Sequence, residues 1–391
     1  MNTRRHVVLT GFAALATRRA WAADKPPVRI GACFPLSGFQ RPNGEMYRCG
    51  VEMAIEEVNA AGGVNGSRLE LVADDDQGLA NEAVLLFRRH ASDGVAVHIG
   101  PISGTTFDSV VPLAAALRVP TINFTALKPG MTKCPYALKL HPSDDVMVPE
   151  AVTQFRAKFP AVKTVVITGD AREASGAAGM AEFAKAAAKQ DLKVADTVSF
   201  DTRTTDYSPV AIRIKGLAPD AVFISSFGPN TLALLKELDV QGMTVPVLAN
   251  ALIWAANFVQ TVTAGADRIY TVGFNTNAPA PDIPGHDEFT RRFIERARKT
   301  TTLPEPINVS NATMGYDTIN LLAGVLRERG LDGSMDTAKL RAGITDGLAA
   351  VQTFKGLNTI QMLPNGEAVI HSRLLEVDVP NKLWRYSSVP G

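Results

Sequence analysis

Cysteine is scarce in this sequence, with three residues in 391, and aromatic side chains make up only 7% of it. So few thiols allow at most one disulfide and exclude the cysteine-dense scaffold of a small secreted domain. Neither sign of charge is in surplus, with 40 basic against 39 acidic residues. Phosphate binding needs a basic excess, so no nucleic-acid partner is expected. A charged fraction of 20% also argues against a coiled coil or a disordered scaffold. Beyond the first 22 residues no segment approaches the roughly 18 uninterrupted apolar residues of a membrane span, and no low-complexity tract occurs. What is present is an ordinary apolar fraction of 46% and a length that suggests about two to three domains, ample for two buried cores.

The first 22 residues read as an export signal. Arg4 and Arg5 form a basic start, an apolar run covers 7–16, and Ala20-Trp21-Ala22 supplies small residues where a signal peptidase cuts. The Arg4-Arg5 pair in Thr3-Arg4-Arg5-His6-Val7-Val8 and the second pair, Arg18-Arg19, favour twin-arginine export over the Sec route. Cleavage after Ala22 leaves 36 basic against 39 acidic residues and a periplasmic product. In that oxidising compartment Cys49 pairs with Cys134, or Cys33, Cys49 and Cys134 all stay buried as free thiols.

From residue 28 the chain alternates β-branched runs with amphipathic segments, the pattern of parallel sheets crossed by helices. Strands are predicted at 28–34, 68–73, 95–99 and 119–123, with helices at 44–61, 80–91 and 105–117. In the first helix Tyr47, Val51, Ala54, Ile55 and Val58 share an inward face, Glu45, Arg48, Glu52 and Glu56 face water, and Gly62-Gly63 ends it. A second unit restarts after Ser143, with strands at 163–168, 193–198, 221–225 and 245–249 and helices at 178–189, 208–215 and 232–240. A strand at 267–274, helices at 287–298 and 309–328, and a hairpin of 360–363 with 369–377 closed by Asn365-Gly366 complete the pattern.

Ligands of open parallel sheets meet the carboxyl ends of the strands, so the loops that follow the strands carry the information. Pro35-Leu36-Ser37-Gly38 follows the first strand and Gly100-Pro101-Ile102-Ser103-Gly104-Thr105-Thr106 the third. Ser103 could serve only as a helix cap, or the N–H groups of that helix start could also hold an anion. Dinucleotide, phosphate-loop, zinc-protease and nucleophile-elbow motifs are all missing, so no catalytic residue and no cofactor are expected. The six histidines, His6, His90, His98, His141, His286 and His371, lack metal-ligand spacing and read as surface or structural residues. Asp74-Asp75-Asp76 reads as a solvated strand end, since one acidic run cannot surround a hard cation.

These loops resemble a known family. Ile30-Gly31 with Pro35-Leu36-Ser37-Gly38 and Gly44, residues 54–59, Ala60-Ala61-Gly62-Gly63-Val64-Asn65-Gly66, and Asp74-Asp75-Asp76-Gln77 resemble the opening of type 1 periplasmic binding proteins of the leucine/isoleucine/valine-binding branch. Gly100-Pro101, Ser103-Gly104-Thr105-Thr106, Val119-Pro120-Thr121-Ile122, Met131-Thr132, Pro142-Ser143-Asp144 and Gly315-Tyr316-Asp317 continue the likeness in order along the chain. It implies an α/β protein of two doubly wound parallel-sheet lobes joined by three hinge crossings: 28–143 with 276–352 as lobe 1, and 144–275 with 353–388, hairpin included, as lobe 2. Crossings fall near 141–145, 273–276 and 352–355. The implied function is a monomeric solute receptor that delivers a small molecule to the permease of an ABC transporter. A sensor for a regulatory partner and an exported hydrolase using Ser37 or Ser103 are the alternatives.

By the resemblance, lobe 1 holds a ligand carboxylate through Ser103, Gly104, Thr105, Thr125, Ala126 and Leu127, although a hydroxyl is usual at the position of Leu127. Lobe 2 usually adds an aromatic residue where Ser175 stands and an acid near Asn250 to hold an ammonium. A buried ammonium without a carboxylate is costly, so a small organic acid or amide is expected, oriented by polar loops and packed on Phe39, Phe124, Phe227 or Trp254. Asp170 is the substitute acid if an α-amino acid is bound after all. The expected binding set is completed by Ser37 and Asn43 in the loop and helix after the first strand.

Overall fold

The computed structural model describes residues 8–10, 25–254, 257–309 and 312–389. The export signal expected at 1–22 lies outside the described residues, except for β1 (Val8–Thr10), which runs parallel to 353–355. Among the described residues no helix is long and apolar enough to cross a membrane.

The first sheet is parallel throughout, in the order β3-β2-β4-β5-β6, from β2 (Lys25–Phe34), β3 (Ser67–Asp75), β4 (Val97–Ile99), β5 (Thr121–Asn123) and β6 (Ala137–Lys139). Val28, Ile30, Ala32, Cys33 and Phe34 are fully buried, because helices cover both faces and leave β2 no polar side. α1 (Arg41–Ala60) begins three residues earlier than its apolar pattern suggests, with Pro42 in its first turn, and ends where Gly62 and Gly63 take positive φ. Its expected inward residues, Tyr47, Val51, Ala54, Ile55 and Val58, are buried. On the opposite face Arg48 and Glu56 are exposed as expected, while Glu45 and Glu52 are partly covered. Glu52 and Glu56 meet Arg296, and Glu57 meets Arg292, both from α9 (His286–Thr300), so complementary charge draws a second helix over a face that the sequence assigns to water. α10 (Ala312–Glu328) also packs on α1, and α2 (Ala80–Ser92) and α3 (Gly104–Ala116) pack against each other around a core that includes Phe87, Phe107 and Val110.

The second sheet has the order β16-β15-β11-β10-β9-β7-β8, from β7 (Thr164–Asp170), β8 (Lys193–Phe200), β9 (Ala221–Ser225), β10 (Val247–Ala249), β11 (Ile269–Gly273), β15 (Arg373–Asp378) and β16 (Leu383–Tyr386). Five strands are parallel, and β15 and β16 extend the edge antiparallel. α4 (Asp144–Lys158) packs with α5 (Ala174–Lys189), and α6 (Ser208–Gly216) with α7 (Gly228–Val240).

The chain passes between the two sheets three times: between β6 and α4, between β11 and α9, and after α11 (Thr337–Ala350), which packs on α10. The predicted hairpin is shorter than its sequence suggests. β13 (Thr359–Met362) pairs with β14 (Ala368–Val369), and both join β12 (Thr353–Lys355) in a small separate sheet rather than the sheet of lobe 2. Only 373–378 of the expected second arm enters the lobe 2 sheet. The reason is a buried ion pair. Glu367, in the turn of the hairpin, lies 3.1 Å from Lys139 Nζ at the end of β6 and accepts from the Ser143 hydroxyl at 2.6 Å and from the Gly130 N–H at 3.0 Å, which fastens the hairpin beside the first passage. Burial lowers the affinity of Lys139 for its proton, and the Glu367 carboxylate opposes this.

Candidate functional site

A narrow cleft lies between the lobes, lined by Gln40, Asn43, Tyr47, Ile102, Ser103, Gly104, Thr125, Ala126, Leu127, His141, Ser175, Phe227, Ala251, Leu252 and Trp254. Its lobe 1 wall is the start of α1, the loop after β4 with the start of α3, and the loop after β5. Ser103 caps α3, its Oγ accepting from the Thr106 N–H at 3.2 Å and lying 2.9 Å from Thr106 Oγ1. The Asn123 side chain shapes the next loop, its Oδ1 accepting from the N–H groups of Thr125 at 2.9 Å and Ala126 at 2.7 Å. Thr125 Oγ1 in turn donates to the Ile102 carbonyl, tying the two loops together.

Lobe 2 supplies the opposite wall and reaches across. Glu173, the N-cap of α5, accepts from Thr105 Oγ1 at 2.7 Å and from Thr105 N–H at 3.2 Å, while its Oε1 lies 3.4 Å from the Ser175 N–H. The carboxylate thus sits between two helix N-termini, α3 of one lobe and α5 of the other, where both sets of backbone dipoles favour negative charge. Burial nonetheless pushes its proton affinity up, against the donors from Thr105 and Ser175. Ser175 Oγ accepts from the Leu127 N–H at 3.3 Å, and Phe39 meets Phe227 edge to face at 5.7 Å near the mouth. Gly104 allows the approach, since a Cβ there would lie 2.3 Å from Ser175 Oγ and 2.7 Å from Glu173 Oε1.

His141 and Trp254 line the cleft near the hinge, and Phe274 packs on both, with His141–Phe274 centroids 5.3 Å and Trp254–Phe274 centroids 5.2 Å apart. Burial brings the His141 imidazole down to about 4, although it hydrogen-bonds the Pro142 carbonyl, so the ring is neutral at physiological pH. Trp254 is 1% exposed, and its indole N–H has no hydrogen-bond partner among the described residues.

Nine of the residues singled out from sequence line this cleft: Asn43, Ser103, Gly104, Thr125, Ala126, Leu127, Ser175, Phe227 and Trp254. Four do not. Ser37 is exposed beside Asp75, and Thr105 is engaged by Glu173. Asp170 is fully buried, accepting from the N–H groups of Arg172 at 2.9 Å and Glu173 at 3.3 Å and from the Thr202 hydroxyl, so it is spent on shaping its own loop and is no substitute acid for the cleft. Asn250 is also buried and donates to Asp144 Oδ2 and Ser225 Oγ, each at 2.9 Å. Of the proposed aromatic platforms, Phe124 lies in the core against Tyr47 and Phe39 borders a smaller neighbouring hollow. Gln40, Tyr47, His141, Ala251 and Leu252 escaped the sequence reading. Tyr47 reads as core because it falls on the inward helical face, and that face meets the cleft as well as the sheet.

Two further expectations need correction. All three cysteines are free, Cys33 and Cys49 buried and Cys134 exposed, so neither the disulfide nor three buried thiols describes them. The acidic run is no solvated strand end either. Asp74 meets Arg89 and His90, Asp75 accepts from the Leu36 N–H at 2.8 Å, and Asp76 is 1% exposed with its carboxyl pushed up to about 6 by burial. Each acid anchors a different neighbour.

Two doubly wound lobes, three passages between them and a cleft at the carboxyl ends of both sheets define the class of two-lobed binding proteins. The periplasmic binding protein family matches residues 27–381, and the chain belongs to that family. It is 26% identical over 238 residues to a leucine-, isoleucine-, valine-, threonine- and alanine-binding protein of Pseudomonas aeruginosa, a match that spans 61% of this chain and 62% of that protein. The chain therefore aligns with somewhat under two thirds of that relative's length. Among solved structures, a leucine-binding protein of Thermotoga maritima superposes with a TM-score of 0.79 at 20% identity, covering 92% of this chain and 98% of that one. A solute-binding protein of an ABC transporter from Rhodopseudomonas palustris, in complex with 3,4-dihydroxybenzoic acid, gives 0.77 at 18% identity over 93% and 96%. At these identities the likeness shows the fold.

Proposed function

We propose that this protein is an exported, monomeric receptor that takes a small aromatic acid or amide between its lobes and hands it unchanged to the permease of an ABC transporter. The observation that carries the choice of solute is the lining of the cleft: Tyr47, His141, Phe227 and Trp254 present rings, and among the described residues no carboxylate lines it. An α-amino acid would bury its ammonium there without a counter-charge, at a cost of several kcal/mol. An aromatic acid or amide has no such group. It would stack or pack on the rings and offer oxygens to the unpartnered Trp254 N–H and to the polar start of α3. The fold can accommodate such a solute, since the Rhodopseudomonas palustris protein of the same fold holds 3,4-dihydroxybenzoic acid.

Closure follows from the same geometry. Lobe 1 and lobe 2 touch through Glu173 on Thr105, Ser175 on Leu127 and Phe227 on Phe39, contacts that exist only with the lobes together. A solute bridging both walls adds to them and shifts the population toward the closed form, the form a permease would recognise. No bond of the solute is broken in this scheme, and Ser103 Oγ is engaged with Thr106 rather than with a histidine. Isothermal titration of the purified exported chain with 4-hydroxybenzoate, 3,4-dihydroxybenzoate, benzamide, leucine and valine tests the reading. Saturable one-to-one binding of an aromatic acid or amide is expected. Binding of leucine or valine with no response to the aromatic compounds would overturn it.

A further inference from the structure

Apart from the cleft, three metal-ligating side chains converge inside lobe 1. Cys33 on β2, His90 on α2 and His98 on β4 are each 0% exposed, and one donor atom from each lies within 4.8 Å of the other two. We propose that these residues form a binding site for a soft or borderline d10 cation, zinc or cuprous copper, buried between the sheet and α2.

Cys33 Sγ lies 3.5 Å from His98 Nε2. Bond lengths of about 2.3 Å to sulfur and 2.0–2.1 Å to nitrogen separate two such donors by about 3.6 Å across a tetrahedral zinc, so this pair already has the spacing of neighbouring ligands. The two nitrogens of His90 are differently engaged. Nε2 is 2.7 Å from Asp74 Oδ2, which Arg89 also holds, whereas Nδ1 is buried with no hydrogen-bond partner among the described residues. A carboxylate on one ring nitrogen fixes the proton there and turns the lone pair of the other toward a metal, the usual outer arrangement of a ligating histidine. Without an ion, that lone pair is a buried acceptor left unpaired. Gly31 keeps the space open, since a Cβ there would come within 3.0 Å of His90 Nδ1 and 3.1 Å of His98 Cδ2.

One thiolate and two imidazoles suit zinc or copper, and magnesium and calcium, which take oxygen donors, do not fit. Full burial leaves little room for a shell of solvent and favours an ion content with few ligands. Binding would release the thiol proton of Cys33 and fasten β2, β4 and α2 to one point. Three ligands drawn from separate elements leave no local spacing motif, which is why the histidines read as isolated in the sequence.

Titration of chelator-treated protein with Co(II) under reducing conditions reads the site directly. One equivalent should bind with a thiolate-to-cobalt charge-transfer band, and zinc or cuprous copper should abolish the band and raise the melting temperature. Whichever of the two displaces cobalt at the lower free concentration names the preferred ion. Cys33→Ala should lose the band while keeping the far-ultraviolet circular dichroism of the parent. A band that persists in Cys33→Ala, or its absence in the parent protein, would overturn the proposal. If Cys33→Ala fails to fold, X-ray absorption of the zinc-loaded parent decides: one sulfur and two imidazole nitrogens support the site, and a shell without sulfur overturns it.

Discussion

On the lobe 1 side of the cleft, Ser103, Gly104, Thr125 and Ala126 present small polar groups and backbone at the start of α3 and after β5. On the lobe 2 side, Phe227, Leu252 and Trp254 present apolar surface, and the nearby acids are engaged elsewhere: Glu173 with Thr105, Asp170 with its own loop, and Asp144 through Oδ2 with Asn250, its Oδ1 having no partner among the described residues. The polar groups of the first wall are suited to orienting oxygens and the rings of the second to packing carbon, with Tyr47, Ile102 and Leu127 adding apolar surface to the first and Ser175 a hydroxyl to the second. The difference teaches that acids close to a cleft say little about its ligand until their partners are known, because a carboxylate already saturated with donors is no longer a receptor for an ammonium.

Removing the apolar wall should have the largest effect. Trp254→Ala deletes a fully buried ring that packs on Phe274 and His141, and it should cost about 3–5 kcal/mol in urea unfolding and abolish aromatic-acid binding. Solute affinity equal to the parent's would show that the lobe 2 wall does not pack the ligand. Severing the link between the walls comes next. Glu173→Ala removes a charge-assisted contact spanning the lobes, worth about 1–3 kcal/mol, and small-angle scattering should report a larger radius of gyration without solute. An unchanged radius would mean that other contacts hold the closed form.

The smallest effect on solute binding concerns an inward-turned acid, and it appears as a slope in stability. Burial pushes the Asp144 carboxyl up to about 7 in the folded protein, from an ordinary value of 3.8. The folded state therefore keeps a proton that the unfolded chain has released, and this group subtracts stability progressively as pH rises from about 4 to about 7. Asp144→Asn should flatten that part of the stability profile, measured by denaturant unfolding at a series of pH values, while leaving solute binding near that of the parent. A profile that falls as steeply in the variant would remove Asp144 as its source.

Much of the fold is legible in the sequence because burial on both faces writes strands as continuous apolar runs, as in β9, predicted with its observed bounds. α4 and α11 left weaker traces. α4 carries Pro149, and α11 carries Gly343 and Gly347, which let it approach Leu331 and Val325 closely but dilute the helical signal. The lobe 1 wall could be found from loop position, since Ser103 and Thr125 lie in the loops that follow β4 and β5. Contacts that depend on how the lobes meet were invisible: Glu173 is just another acid until α5 faces α3, and His141 another histidine until the chain turns beneath Trp254.

The buried pair of Lys139 and Glu367 joins the passage after β6 to the hairpin on the third passage. Parting two charges inside the protein is expensive, so these two passages behave as one bolt rather than two independent threads. Any rotation at the mouth would have to carry those two together, while the middle passage is fastened on its own, Asn275 donating to Thr313 and Asn358.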